Sequence, residues 1–171
     1  MAPAGGGREV EFKFRVDGPE AFEALARAAR ATPSAAVGQT NHFFDTPDRA
    51  LGFRRHTLRL REEKGRFVLT AKGPGERAGV LTTRAEEEVE VQKPEAESLI
   101  VGGRSPLAAL EARADPRARD LLATMRAIVG RMPLRHAGAF QNERARLDVA
   151  LGVGGRTVPV KIGRASCRER V

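Results

Sequence analysis

Nine residues near the N-terminus, Arg8-Glu9-Val10-Glu11-Phe12-Lys13-Phe14-Arg15-Val16, alternate strictly between ionised and apolar side chains. A period of two is that of a strand with one dry face and one charged face. Glu9 and Glu11 then stand ~6.6 Å apart on the same side. At that distance they repel by roughly 2–3 kcal/mol at an effective dielectric of about 20. A strand tolerates this if the face is fully wetted or if a cation sits between the carboxylates, and the stretch by itself is equally compatible with both. Three later segments carry same-face polar sets of the same kind: Arg59 and Arg61, then Thr70 and Lys72, then Arg84, Glu86 and Glu88. The signs are sorted by strand, whereas an ordinary solvated sheet face scatters them. Carboxylate oxygens without a cysteine or a histidine pair at ligand spacing suit Mg²⁺ or Mn²⁺ rather than zinc. Arginine and lysine suit phosphate oxygens. Metal with convergent cations is the equipment for phosphoryl hydrolysis or transfer.

The elements that must position these groups are legible in order. Pro19 opens a helix with Phe22, Leu25, Ala26 and Ala29 on one face, ending near Thr32-Pro33-Ser34. Val37 to Asp48 reads as a strand closing in a turn, with Asp45 or Thr46 capping a short helical turn begun by Pro47. His42 in that strand reads as an exposed polar residue. Thr57–Glu62 and Phe67–Lys72 form a hairpin turning at Gly65, and Thr82–Val91 is a further strand in which Glu87 alone breaks the alternation. Pro94 to about Val129 is helical, broken around Pro116, and Leu134 to Ala150 returns to strand. Arg156–Lys161 begins another strand. A barrel closed with its polar face inward accounts for the sorted charges, with the apolar helices covering the outside.

A length of 171 residues suits one domain with a sizeable core, and no apolar run approaches the ~20 residues of a membrane span. The formal charge of +8 calls for an anionic partner, but with no Trp and no Tyr the stacking of a single-strand nucleic-acid binder would rest on Phe alone. Nucleic acid is therefore not the expected partner. Residues 1–7 are expected to be a disordered leader and 8–161 the domain. The last ten residues, Ile162 to Val171, correspond in frame to the translation of a common sequencing-library adapter and are expected to be a cloning or assembly scar. Three arginines and one glutamate of the chain lie in it, and so does its single cysteine, Cys167, which removes thiol chemistry from the expectation. With no address visible, the cytoplasm is the expected location.

The ordered blocks resemble the CYTH, or triphosphate tunnel metalloenzyme, superfamily. They are Glu9-Val10-Glu11-Phe12-Lys13, matching E-x-E-x-K, then Asn41-His42-Phe43-Phe44-Asp45-Thr46-Pro47, Leu58-Arg59-Leu60-Arg61, Thr70-Ala71-Lys72-Gly73, Arg84-Ala85-Glu86-Glu87-Glu88, and Gly138 to Arg144. The resemblance implies an α+β fold: an antiparallel β tunnel with covering helices, here an incomplete form of a closed barrel that normally has eight strands. It implies that Glu9, Glu11, Glu86 and Glu88 bind metal, and that Lys13, Arg59, Arg61, Lys72, Arg84 and Arg144 grip phosphates. Lys13 or Lys72 would act on the attacking water. The family also uses an acid on the strand begun at Arg156, a second E-x-E and a late lysine, none of which is present. The expectation is a C-terminally shortened tunnel whose unpaired edges leave it poorly folded or inactive.

The function expected is metal-dependent hydrolysis of tripolyphosphate or of a small organic triphosphate such as thiamine triphosphate. A class IV-type adenylate cyclase, expelling pyrophosphate from ATP, is the second reading. A non-catalytic polyphosphate- or RNA-binding module is the third, and it alone should tolerate loss of Glu9 and Glu11. The sequence leaves the triphosphate, the metal and the oligomeric state open.

Overall fold

The computed structural model describes residues 7–12, 18–153 and 156–167. Lys13, one of the phosphate and water-activating candidates, lies outside them. The elements are β1 (Gly7–Phe12), α1 (Pro19–Ala28), β2 (Val37–Asp45), α2 (Ala50–Phe53), β3 (Thr57–Glu63), β4 (Arg66–Lys72), β5 (Glu76–Ala78) and β6 (Leu81–Val91). There follow α3 (Lys93–Ile100), α4 (Pro106–Glu111), a 3₁₀ turn (Pro116–Ala118), α5 (Arg119–Val129), β7 (Arg135–Val153) and β8 (Arg156–Cys167). This is the α+β, antiparallel class that the family resemblance implies.

The chain divides into two compact units. The first holds residues 1–13 and 40–140, with strand order β1-β6-β4-β3-β2-β7 and β5 alongside β6. Its register is antiparallel: Glu9 faces Arg84, Lys72 faces Glu86, Thr70 faces Glu88, and Arg59 faces Thr70. The β3–β4 hairpin turns at Lys64 and Gly65, both at positive φ (51° and 72°). A two-residue turn with both φ positive matches the right-handed twist of the strands it joins.

One face of this sheet is dry. Leu58 and Leu60 from β3, Phe67, Leu69 and Ala71 from β4, and Val89 and Val91 from β6 pack with Leu99, Leu107, Leu110, Leu121, Leu122 and Met125 of the helices. Each fully buried leucine side chain contributes about 1.5–3 kcal/mol. α4 starts on the cap of Ser105, and the 3₁₀ turn starts on Asp115, whose Oδ1 accepts from Arg117 N at 2.9 Å. The break expected at Pro116 is thus a 3₁₀ turn between two helices.

Two local outcomes depart from the sequence pattern. α2 begins at Ala50 rather than at Pro47, because Thr46 Oγ1 accepts from Ala50 N at 2.8 Å and Asp45 accepts from Leu51 N and Gly52 N at 3.0 Å each. The caps reach past the proline and past Arg49, whose left-handed φ of 57° cannot belong to a helix. Glu87, the break in the β6 alternation, points into the dry side and is 2% exposed. Its Oε1 accepts the Asp115 N–H at 3.0 Å, tying β6 to the 3₁₀ turn.

The second unit holds residues 14–39 and 141–171. In it the C-terminal part of β7 pairs with β8, from Asn142 opposite Cys167 to Val153 opposite Arg156. β8 therefore runs on beyond Lys161 into the 162–167 stretch, since a ladder needs only main-chain groups. Phe22 and Ala26 of α1 pack on Leu147 and Val149 of β7. Ser34 binds the Arg146 backbone twice, at 2.8 and 3.0 Å.

Candidate active site

Strand alternation places Glu9 and Glu11 of β1, Arg84, Glu86 and Glu88 of β6, Thr70 and Lys72 of β4, and Arg59 and Arg61 of β3 on the face opposite the core. All nine lie in the first unit, and their charges interlock. Lys72 Nζ donates to Glu9 Oε1 at 3.0 Å and lies 2.8 Å from Glu86 Oε1. Arg84 Nε donates to Glu9 Oε2 at 2.5 Å, and its Nη2 is 3.7 Å from Glu11. Arg59 and Arg61 approach Glu88 at 3.9 and 3.8 Å, and Thr70 Oγ1 donates to Glu88 at 3.1 Å. The repulsion anticipated between Glu9 and Glu11 is thus relieved by a side-chain cation from β6.

The junction is protected from water: the Lys72, Glu86 and Glu9 side chains are 11, 16 and 25% exposed. Burial raises the Glu9 carboxyl, but the Arg84 hydrogen bond and the charge and bonds of Lys72 outweigh it and hold it at about 2. Burial pushes Glu86 the other way, above the ordinary carboxylate range, with Glu9 and Glu88 adding to the rise against Lys72. Two neighbouring carboxyls with opposite shifts share one ammonium, the kind of division that marks functional sites as well as structural ion networks.

The donor set fits a hard divalent cation in chemistry. Four carboxylates share one sheet face, and two of them, Glu9 and Glu86, converge on a point about 3 Å from each, where Lys72 now places a positive charge. Among the described residues no three carboxylates or imidazoles gather closely enough to hold a metal without rearrangement.

Arg144 lies on β7 in the second unit, where a Cβ at Gly163 would meet its Nε at 2.7 Å. Glycine there leaves room for the guanidinium. Two groups escaped the reading from sequence. His42 Nδ1 is 3.1 Å from His136 Nε2, and burial, then the charge of His136, lowers the pKa of His42 against the opposing Glu62. Phe43 stacks on Phe140, with ring centroids 5.6 Å apart. Each pair joins residues more than 90 positions apart, and no local pattern carries that information.

Among the described residues no helix is long and apolar enough to cross a membrane. The chain is similar to YjbK of Bacillus subtilis (strain 168), named as a candidate triphosphatase, at 39% identity over 75 residues. That match covers 44% of this chain and 38% of YjbK. The fold resembles HpAC1 from Hippeastrum, described as a candidate adenylyl cyclase that reveals a dominant triphosphatase activity (TM-score 0.62, 23% identity, 91% of this chain and 72% of that one). It also resembles a candidate adenylate cyclase from Vibrio parahaemolyticus (TM-score 0.50, 18% identity, 92% and 69%). The CYTH domain model matches residues 7–161, so the charged face of β1, β3, β4 and β6 belongs to a chain that is a member of the CYTH domain family.

Proposed function

We propose that the chain is a divalent-metal-dependent triphosphatase that hydrolyses tripolyphosphate or a small organic triphosphate. The observation that carries the reading is the junction of Glu9, Lys72 and Glu86, with Arg84, Arg59 and Arg61 on the same face. Such a face can receive a polyanion only if its carboxylates are neutralised, and a metal held by Glu9, Glu11, Glu86 and Glu88 would neutralise them. Mg²⁺ or Mn²⁺ would supply Lewis-acid polarisation of phosphoryl oxygens. Arg59 and Arg61, now loosely held by Glu88, are set to bind phosphate oxygens through their planar forks. Arg84 and Lys72 would supply positive charge where the leaving diphosphate develops negative charge. Lys72, with three donors, can also hand a hydrogen bond to the attacking water. Lys13 shares the roles proposed for Lys72, and Arg144 keeps the phosphate-binding role that the family resemblance implies.

The triphosphatase names of YjbK and HpAC1 support this reading. The cyclase names of HpAC1 and the Vibrio protein favour a second reading, cyclisation of ATP. The test is orthophosphate release from tripolyphosphate and from ATP, with Mg²⁺, with Mn²⁺ and with EDTA, for the native chain and Glu9→Gln. Metal-dependent orthophosphate release that the variant loses is expected. Cyclic AMP with pyrophosphate from ATP would establish the cyclase instead, and turnover undiminished by EDTA would refute the metal role.

A further inference from the structure

Phe43 and Phe140 stack with an interplanar angle of 19° in the first unit. Their neighbours reveal which face they occupy. Phe44 is buried in the apolar cluster with Leu58, Leu60 and Leu69, so the adjacent Phe43 projects to the opposite side, the face of Arg59 and Arg61. Neither Phe43 nor Phe140 belongs to the apolar clusters of the described residues, and Phe140 is 39% exposed.

The path of β7 adds an independent observation. His136 contacts Phe44 and His42, on the core-side face of β2, whereas Phe140, four residues on, contacts Phe43 on the charged side. In an unbroken strand residues four apart share a face. The strand must shift between them, and Gly138, at φ 151°, lies there. Irregularities of this kind re-aim side chains and concentrate beside active sites. Here the shift takes an aromatic ring away from the core and sets it on the ionised face. β2 and β7 are the next two strands after β3, so the rings stand roughly 5 and 10 Å across the sheet from the Arg59 and Arg61 strand.

Resting on the triphosphatase reading, we propose that the Phe43–Phe140 pair is a stacking platform for an aromatic ring carried on the triphosphate, and that the protein prefers ring-bearing organic triphosphates to inorganic tripolyphosphate. Phenylalanine offers a π-face and no hydrogen bond, so the platform selects for an aromatic ring without specifying its edge. A purine and the thiamine rings share that chemistry. Cationic thiazolium would gain further attraction to the ring faces.

The experiment compares kcat/KM for ATP, thiamine triphosphate and tripolyphosphate between the native chain and the variants Phe140→Leu and Phe43→Leu, which keep apolar bulk and lose the π-face. Thermal melts check that both variants fold. Calorimetric binding of ADP, thiamine diphosphate and pyrophosphate runs in parallel, because these ligands are not substrates for the proposed cleavage. The native chain is expected to favour at least one ring-bearing substrate over tripolyphosphate. That ratio should fall about 5- to 100-fold in the variants, while Phe140→Tyr restores it. Preference for ATP or for thiamine triphosphate identifies the ring. An unchanged ratio, or equal losses on ring-bearing and inorganic ligands, overturns the platform. If no substrate turns over, the triphosphatase reading fails separately, and the binding ratios still decide the platform: ring-bearing diphosphates bound no more tightly than pyrophosphate would refute it.

Discussion

Replacing Lys72 with methionine keeps the length of the side chain and removes the ammonium that Glu9 and Glu86 share at 3.0 and 2.8 Å. Removing one partner of a buried ion pair costs about 3–5 kcal/mol. Two features reduce that here: Glu9 keeps its Arg84 bond, and the carboxylates retain some access to water. A loss of roughly 2–4 kcal/mol follows. At about 2–4 °C per kcal/mol for a chain of this size, the melting temperature should fall by roughly 5–15 °C. The loss should depend on pH. Glu86 already has its pKa raised by burial, and without Lys72 the rise is larger. A group with a raised folded pKa stabilises most below its unfolded value and loses that contribution as pH rises through the folded one. The deficit of Lys72→Met is therefore greater at pH 8 than at pH 5. Mg²⁺, entering between two carboxylates no longer bridged by an ammonium, should stabilise the variant more than the native chain, adding about 2.7 kcal/mol to the variant at a hundredfold excess over the variant's dissociation constant. Differential scanning calorimetry at both pH values, with and without Mg²⁺, reads all three effects. A loss below about 2 °C, or one equal at pH 5 and pH 8, would refute the claim that Lys72 holds the two carboxyls together.

Three further outcomes are expected. Glu9, held at about 2 against an ordinary 4.5, stabilises fully above pH 4.5 and loses that contribution as pH falls toward 2; urea titrations across this window should show Glu9→Gln with a shallower acid loss than the native chain. Glu87→Ala leaves the Asp115 N–H without its acceptor and should cost about 1–3 kcal/mol. Glu87→Gln keeps an acceptor and should cost less, because burial already pushes this carboxyl toward its neutral form; paired denaturation curves distinguish the two. Asp45→Ala removes the acceptor for Leu51 N and Gly52 N and should cost about 1–2 kcal/mol without changing the circular dichroism of the sheet.

Much of the first unit was legible because its information is local. Period-two alternation in 8–12, 57–62 and 82–91 assigns both strand and face, since successive side chains must point opposite ways. The Gly65 turn, the break at Pro116 and the capping pair Asp45-Thr46 follow from backbone chemistry readable over a few residues. The start of α2 was displaced because a cap acts on whichever N–H groups its oxygens reach, and Asp45 reaches seven residues ahead to Gly52. The exception on β6 was visible as Glu87, but its reason was not, because the acceptor it provides is used by Asp115, 28 residues away.

The sequence by itself determined the antiparallel α+β class, the sorting of charge onto one face of β1, β3, β4 and β6, and the residue types suited to metal and phosphate. Only the tertiary structure decided which opposite charges meet. Glu9 finds Lys72 63 positions later and Arg84 75 later, pairings created by strand order rather than by spacing. It also decided that His42 faces His136 and that the shift at Gly138 turns Phe140 onto Phe43. Alternation specifies a face within one strand. The neighbour across that face depends on register, and register is settled when the apolar faces of distant strands are buried together.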